Sequence, residues 1–255
     1  MFEDRLEKLA FSPKLLVGEG KTPTFIHPIA LVEGFSSTGR CFCQEQGIVT
    51  TSCGGKGIKI SSEHYESLGK ELGLEKEVLQ AVAEVESHGK SFQSLNPKHA
   101  KILFEYNHMR ENLLKEGVSQ ADINEHIKNT PKLVNIYKAV PFGKNSEQLT
   151  KLKEAKEISI NSAIMSCSWG AFQVMGEYYD WLYNTPEELE KAMNMCEVQQ
   201  MAYFKKYLEN VGGMITALKN KKWSTVALKY NGKKYKDFSY DTKMQEKYNI
   251  LKGVK

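Results

Sequence analysis

AVAEVESHGKSF, Ala81 to Phe92, decides how the rest of the chain is read. On an α-helix advancing about 100° per residue, Val78, Leu79 and Val85 fall within about 60° of Val82 and form an apolar stripe. Glu86 lies about 40° from Val82, inside that stripe, whereas Glu84 falls on the opposite face with Gln80 and Glu77. A carboxylate on an apolar face is costly when ionised, so its pKa rises. The helix ends just beyond, at Ser87, His88 and Gly89, where the helix dipole also disfavours negative charge. Both effects favour a protonated acid at neutral pH, the property that a general acid for glycoside cleavage needs. Periodicity leaves a second reading open, in which Glu86 turns to solvent at the helix end or pairs with a Lys or Arg.

Outward from this stretch the chain divides in two. From Ser61 to the end, 61–255, the pattern is mainly helical. SSEHYESLGKELGL places Ser and Glu in capping positions before an apolar-spaced run. A helix from about Glu75 to Glu86 follows, then one in FEYNHMRENLLKEG ending at Gly117, then a short one begun by Ser119. The segment IYKAVPFGKNSEQLTKLKEAKEIS passes a Pro-Gly break into another helix. PEELEKAMNMCEVQQMAYFKKYLENVGG is predicted as one long helix with Pro at its start and a Gly pair at its stop. KWSTVALKYNG is the last clear helix before a Lys-rich tail. Residues 1–60 differ: they are rich in Gly, Thr and Ser, with short β-type runs such as FIHPIALV and GIVTT. They form a small irregular or β-containing N-terminal region that would struggle to bury a core alone.

The bulk numbers limit the function classes. Of 255 residues, 41% are hydrophobic and 26% charged, enough for a globular core with an ordinary polar surface. No uninterrupted apolar run is long enough to span a bilayer, so membrane insertion is not expected. The N-terminus MFEDRLEKLAFSPKLL lacks a signal peptide's basic start and apolar run, which predicts synthesis in the cytoplasm without an export signal. A formal net charge of +4 suits an anionic partner but does not choose among cell-wall polymer, nucleic acid and membrane surface. Five cysteines leave at least one unpaired. Cys41, Cys43 and Cys53 lie close in sequence and could hold a metal with His27 or His64, but paired Cys-x-x-Cys units are missing. Reduced thiols and no metal are the favoured reading, with Cys167 and Cys196 in the core.

The company Glu86 keeps adds a family. Glu-Ser-His-Gly-Lys resembles the stretch around the catalytic glutamate of goose-type lysozymes and lytic transglycosylases. SCSWGAFQVMG, Ser166 to Gly176, is similar to the segment that lines their glycan groove, and KYNG, Lys229 to Gly232, to their Tyr-Asn-Ala-Gly motif without the Ala. A closer resemblance is to the N-acetylmuramidase domain of phage endolysins, a lysozyme-like family. It is carried by Ala81–Gly89, KILFE at Lys101–Glu105, Ser168–Gly176, Tyr230–Gly232 and YDTK at Tyr240–Lys243, in that order. It runs from about Ser61 to Leu251; residues 1–60 match no peptidoglycan-binding module.

The resemblance implies a lysozyme-like helical fold and a peptidoglycan hydrolase acting on glycan strands, with neither cofactor nor nucleic-acid partner. Glu86 is then the proton donor to the glycosidic oxygen between N-acetylmuramic acid and N-acetylglucosamine. Glu105 orients substrate or positions a water, unless it only caps the following helix. His108 replaces a histidine placed earlier in the family's word and reads as a surface residue. Trp169 and Phe172 offer faces for pyranose rings or belong to the core, and Gly170 between them would let backbone approach a sugar. Gln173 is the better groove candidate, through its amide. Tyr230 and Asn231 are implied to lie beside the acid, the phenol hydrogen-bonded near Glu86, while Asn231-Gly232 also serves as a helix stop. Asp241 is the remaining acid in a family word and reads equally as a turn or cap residue. An inverting hydrolase needs a second carboxylate about 6.5–9.5 Å from the acid and a retaining one about 5–5.5 Å. Without one, a lytic transglycosylase is the alternative. The enzyme would act on the cell wall after release or delivery, for lysis or local wall penetration. Residues 1–60 could dock it to a phage or injection-system component.

Overall fold

A computed structural model describes residues 59–95 and 98–253. The β-type runs FIHPIALV and GIVTT, His27 and the three clustered cysteines lie outside them, with nearly all of the N-terminal arm. Helix α1, Ser62–Leu72, opens where the Ser61 amide donates to His64 Nδ1 at 3.1 Å, so the cap partner is His64 rather than the expected glutamate. That contact also occupies the one described histidine considered as a metal ligand. Gly73, left-handed at φ 66°, ends the helix.

Helix α2, Lys76–Ser87, carries the stretch read first. Val78, Leu79 and Val82 are buried as the stripe requires, and Val85 is only partly so. His88 and Gly89 both adopt left-handed backbone, φ 54° and 68°, which stops the helix right after Glu86 and Ser87. A side chain at Gly89 would press on the Glu84 carboxylate.

Two small antiparallel sheets follow within the helical domain. Strands β1, Phe92–Leu95, and β2, Lys98–Ala100, form a hairpin. Strand β3, Ile102–Phe104, pairs with β4, Cys167–Trp169, which pairs with β5, Val174–Met175. Ile102 faces Trp169 and Phe104 faces Cys167 in the ladder. The KILFE and SWG-x-FQ words, far apart in sequence, are therefore neighbours in one sheet.

Helices α3 (Tyr106–Lys115), α4 (Gln120–Asn129), α5 (Asn145–Lys156) and α6 (Ile160–Met165) lie between β3 and β4 in the chain, with α5 packed on β3 and α6 on β4. Tyr106, Met109 and Leu113 recur at helical spacing and are fully buried. Ser119 caps α4, its hydroxyl accepting from the Asp122 amide at 3.2 Å.

The predicted long helix after Pro186 is two. Helix α7, Pro186–Met195, stops at Cys196, whose φ of −159° and ψ of 163° are extended, and α8, Glu197–Asn210, restarts there. The carbonyls freed at the break find side-chain donors: Lys98 Nζ reaches Met195 O at 2.6 Å and Gln200 Nε2 reaches Met193 O at 2.9 Å. Periodicity cannot register such a break, because both halves bury apolar residues and the compensation comes from distant polar groups.

After α9 (Met214–Lys219) and α10 (Trp223–Asn231), the Lys-rich tail corrects a second expectation. It forms helix α11, Tyr240–Lys252, which packs along α2 and buries Met244 and Tyr248, four residues apart. Its lysines obscured a narrow apolar stripe. Cys167 and Cys196 are both fully buried in the core, as expected. The architecture is a mainly helical domain with small sheets, and no described helix is long and apolar enough to cross a membrane.

Candidate active site

Glu86 sits at the last turn of α2, partly buried, where α2 is flanked by α11 and by the 3₁₀ turn Gly170–Phe172. Asn231, the last residue of α10, donates Nδ2 to Glu86 Oε1 at 3.1 Å. Burial pushes the Glu86 carboxyl up to about 7, while Asn231 and the Lys101 ammonium restrain it. Glu84, by contrast, is a half-buried partner of Lys247 at 3.3 Å, its side chain 41% exposed. The two acids of one helix therefore differ as their faces demand.

Asn231 takes the place expected of the phenol. Tyr230 turns its hydroxyl away and donates to Phe172 O at 2.5 Å, tying α10 to the 3₁₀ turn. Its ring packs edge-on against Tyr207 at 5.0 Å. Gly232 follows at φ 71°, so the Asn-Gly pair is also a helix stop. A single residue thus ends α10 and aims an amide at the acid.

The SWG-x-FQ word frames the site without exposing its aromatics. Trp169 is 2% exposed and donates Nε1 to Ile164 O at 3.1 Å, which makes it core. Phe172 is buried face to face with Phe204, ring centres 4.1 Å apart. The left-handed Gly170 is crowded by Gln200, not open for a sugar: a methyl there would meet the Gln200 amide at 2.4 Å. The Gln173 amide is also engaged internally, donating to Gly170 O at 2.8 Å and accepting from Ser168 Oγ at 3.1 Å. These residues fix the turn that receives Tyr230 rather than pointing bonds outward.

Glu105 belongs to a second cluster. It occupies the N-cap position of α3, but its side chain makes no cap bond. Instead it lies 4.0 Å from His108 Nε2, and His108 Nδ1 lies 3.8 Å from Glu177, which also pairs with Lys115 at 3.6 Å. His108 is no surface residue; its side chain is only 25% exposed, between two carboxylates. Burial works against its charge, but Glu177 and Glu105 outweigh that and lift its pKa. Burial raises Glu105, with Glu177 adding and His108 opposing, whereas His108 holds Glu177 below the usual carboxylate range against its burial. Asp241 joins neither cluster: it accepts from Ser224 Oγ at 3.0 Å and from the Thr242 amide in the first turn of α11.

Three residues enter that sequence reasoning passed over. Lys101, the cation of the KILFE word, donates Nζ to Ser87 O at 2.9 Å and holds the end of α2 below Glu86. Glu177 completes the histidine cluster. Tyr240, beside Asp241 in the YDTK word, opens α11. Burial, then Glu86, Glu105 and Tyr137, push its phenol up to about 12. Lys101 and Tyr240 belong to family words, whereas Glu177 lies one residue beyond Gly176. Among the described residues, no group of three His, Cys, Asp or Glu is arranged to hold a metal ion.

Comparisons with known proteins bear on the family and the fold. The family model for N-acetylmuramidase matches residues 75–252. The crystal structure of Burkholderia AP3 phage endolysin is similar to the chain at 27% identity and a TM-score of 0.66, over 77% of this chain and 73% of that one. No curated protein matches the sequence. The domain that places Glu86 against Asn231 is a glycoside hydrolase domain, and the chain belongs to the N-acetylmuramidase family.

Proposed function

We propose that Glu86 is the general acid of a muramidase that cleaves the β-1,4 bond between N-acetylmuramic acid and N-acetylglucosamine in peptidoglycan. The observation that carries this reading is a partly buried carboxyl, lifted to about 7 and oriented by a neutral amide rather than neutralised by a cation. Protonated Glu86 gives its proton to the glycosidic oxygen as the C1–O bond breaks and positive charge develops on the muramic acid ring. Water then adds at C1 and loses a proton. Glu105 is the candidate to take it, because Asp241 is committed to α11 and Ser224. Tyr240 lies within the influence of both carboxyls, and its phenol stays neutral at working pH and able to donate.

One observation favours a second reading. The hydrogen-bond partner of Glu86 is an amide, and Glu105 engages His108. A single-acid route, in which the 6-hydroxyl of muramic acid attacks its own C1, needs no second carboxylate. Mass spectrometry of products from purified sacculi separates the two: reducing muramic acid ends mark hydrolysis, and 1,6-anhydro ends mark transglycosylation. Intact sacculi after prolonged incubation would overturn both. In the cell, the enzyme serves lysis or local wall penetration, with residues 1–60 as an arm for docking to a phage or injection apparatus. Deleting that arm should spare the chemistry on sacculi and abolish delivery.

A further inference from the structure

Two loops carry exposed aromatics that the site described above does not use. The connection from α4 to α5 presents Tyr137, 39% exposed, and the segment between α10 and α11 presents Phe238, 53% exposed. They meet through an ion pair, Lys138 to Asp237 at 3.5 Å, and through Lys234, whose ammonium lies 4.3 Å above the Tyr137 ring. Each loop holds a non-glycine residue in left-handed backbone next to its aromatic: Lys138 at φ 62° and Ser239 at φ 55°. Such conformations are uncommon outside glycine and persist only where surroundings enforce them.

The junction borders the candidate active site. The Phe238 ring lies edge-on to Tyr240 at 6.2 Å, and Tyr137 contributes to the shift of the Tyr240 phenol alongside Glu86 and Glu105. The segment that carries Phe238 begins directly after Asn231, whose amide holds Glu86, so the junction adjoins the acid in space. The charge of the junction is one-sided. Lys138, Lys144, Lys233, Lys234 and Lys236 lie on these loops against Asp237 as the one acid, and Asp237 is already paired.

Resting on the muramidase reading, we infer that these loops form a clasp for peptide-bearing glycan. Tyr137 and Phe238 pack on sugar rings adjoining the cleaved bond, and Lys233 and Lys236 pair with carboxylates of the stem peptide on muramic acid. Exposed aromatic faces suit the apolar faces of pyranose rings, and exposed ammonium groups suit a flexible anionic chain in a salt-dependent way. A glycan without stem peptides would engage only the aromatic half.

The test compares intact sacculi with the same sacculi stripped of stem peptides by an amidase, at low salt. The double variant Lys233→Gln/Lys236→Gln, which leaves Lys234 on Tyr137, should raise KM on intact sacculi about three- to tenfold, with kcat held. On stripped strands its KM should equal the parent's. Phe238→Ala should raise KM on both substrates. Circular dichroism and Tm matching the parent certify the fold. The charge half is overturned by an unchanged KM on intact sacculi or by an equal rise on stripped strands, and the aromatic half by an unchanged KM in Phe238→Ala. Glu86→Gln, assayed in parallel, separates this from the parent reading. Residual full activity in that variant sinks the acid assignment, and the KM ratios still judge the clasp.

Discussion

Glu86 and Glu105 are both partly buried carboxyls lifted by desolvation, yet their surroundings treat them in opposite ways. Glu86 has a neutral hydrogen-bond partner, Asn231, and one restraining cation, Lys101. Glu105 faces a histidine whose far side meets Glu177, itself paired with Lys115. The first arrangement keeps a proton available near neutral pH. The second surrounds a carboxyl with charges whose balance moves with pH. A pair of acids whose environments separate their protonation states is what acid–base cleavage of a glycosidic bond needs.

Removing the Glu86 proton breaks the contrast most completely. Glu86→Gln should lower kcat on sacculi by about 10²–10⁴-fold, while Glu84→Gln, which loses only a partly exposed ion pair, should stay near wild type. Turbidity loss checks both. Asn231→Ala comes next. Without the donor, the ionised form of Glu86 loses support, so its pKa rises further and the alkaline limb of kcat/KM moves to higher pH. Loss of orientation should cost about tenfold at the optimum. A pH profile distinguishes these two effects from simple unfolding.

His108→Gln probes the other cluster. His108 lowers the Glu105 pKa, so its removal should raise it and move the acid limb of the profile upward, with a rate loss of about two- to fivefold. An acid limb that stays put would mean that Glu105 is not the base. The smallest effect is on stability. Because the folded-state pKa of Glu86 is raised, the folded protein binds this proton more tightly than the unfolded chain. Its contribution is full below the unfolded value near 4.5 and is lost as pH rises through about 7. Glu86→Gln should therefore raise Tm by a few degrees at pH ~8.5 relative to wild type and change it little at pH ~4, by calorimetry.

Helix α2 and its stripe were legible because burial on one face imposes a period that the residues Val78, Leu79 and Val82 obey. The same rule concealed α11, whose buried set is only Met244 and Tyr248 among many lysines. It also hid the break at Cys196, which depends on Lys98 and Gln200 reaching freed carbonyls. Among candidate site residues, Trp169 and Phe172 proved to be core, because an aromatic beside a glycine reads alike whether it meets a sugar or another ring. His108 reads in the sequence as a surface residue for a related reason: its partner Glu177 lies on a segment that no local pattern connects to α3.

The amino-acid sequence by itself put Glu86 on the apolar face of its helix and Glu84 on the opposite one, since helical geometry needs only the spacing of residues along one element. It also carried, in the order of its motifs, the family to which the chain belongs. Tertiary structure alone decided that Asn231 rather than Tyr230 holds the acid, and that Glu105 answers to His108. It also joined the distant loops of Tyr137 and Phe238 through Lys138 and Asp237. Those relations depend on distances between elements, and such distances are fixed only when the helices and the small sheet pack against one another.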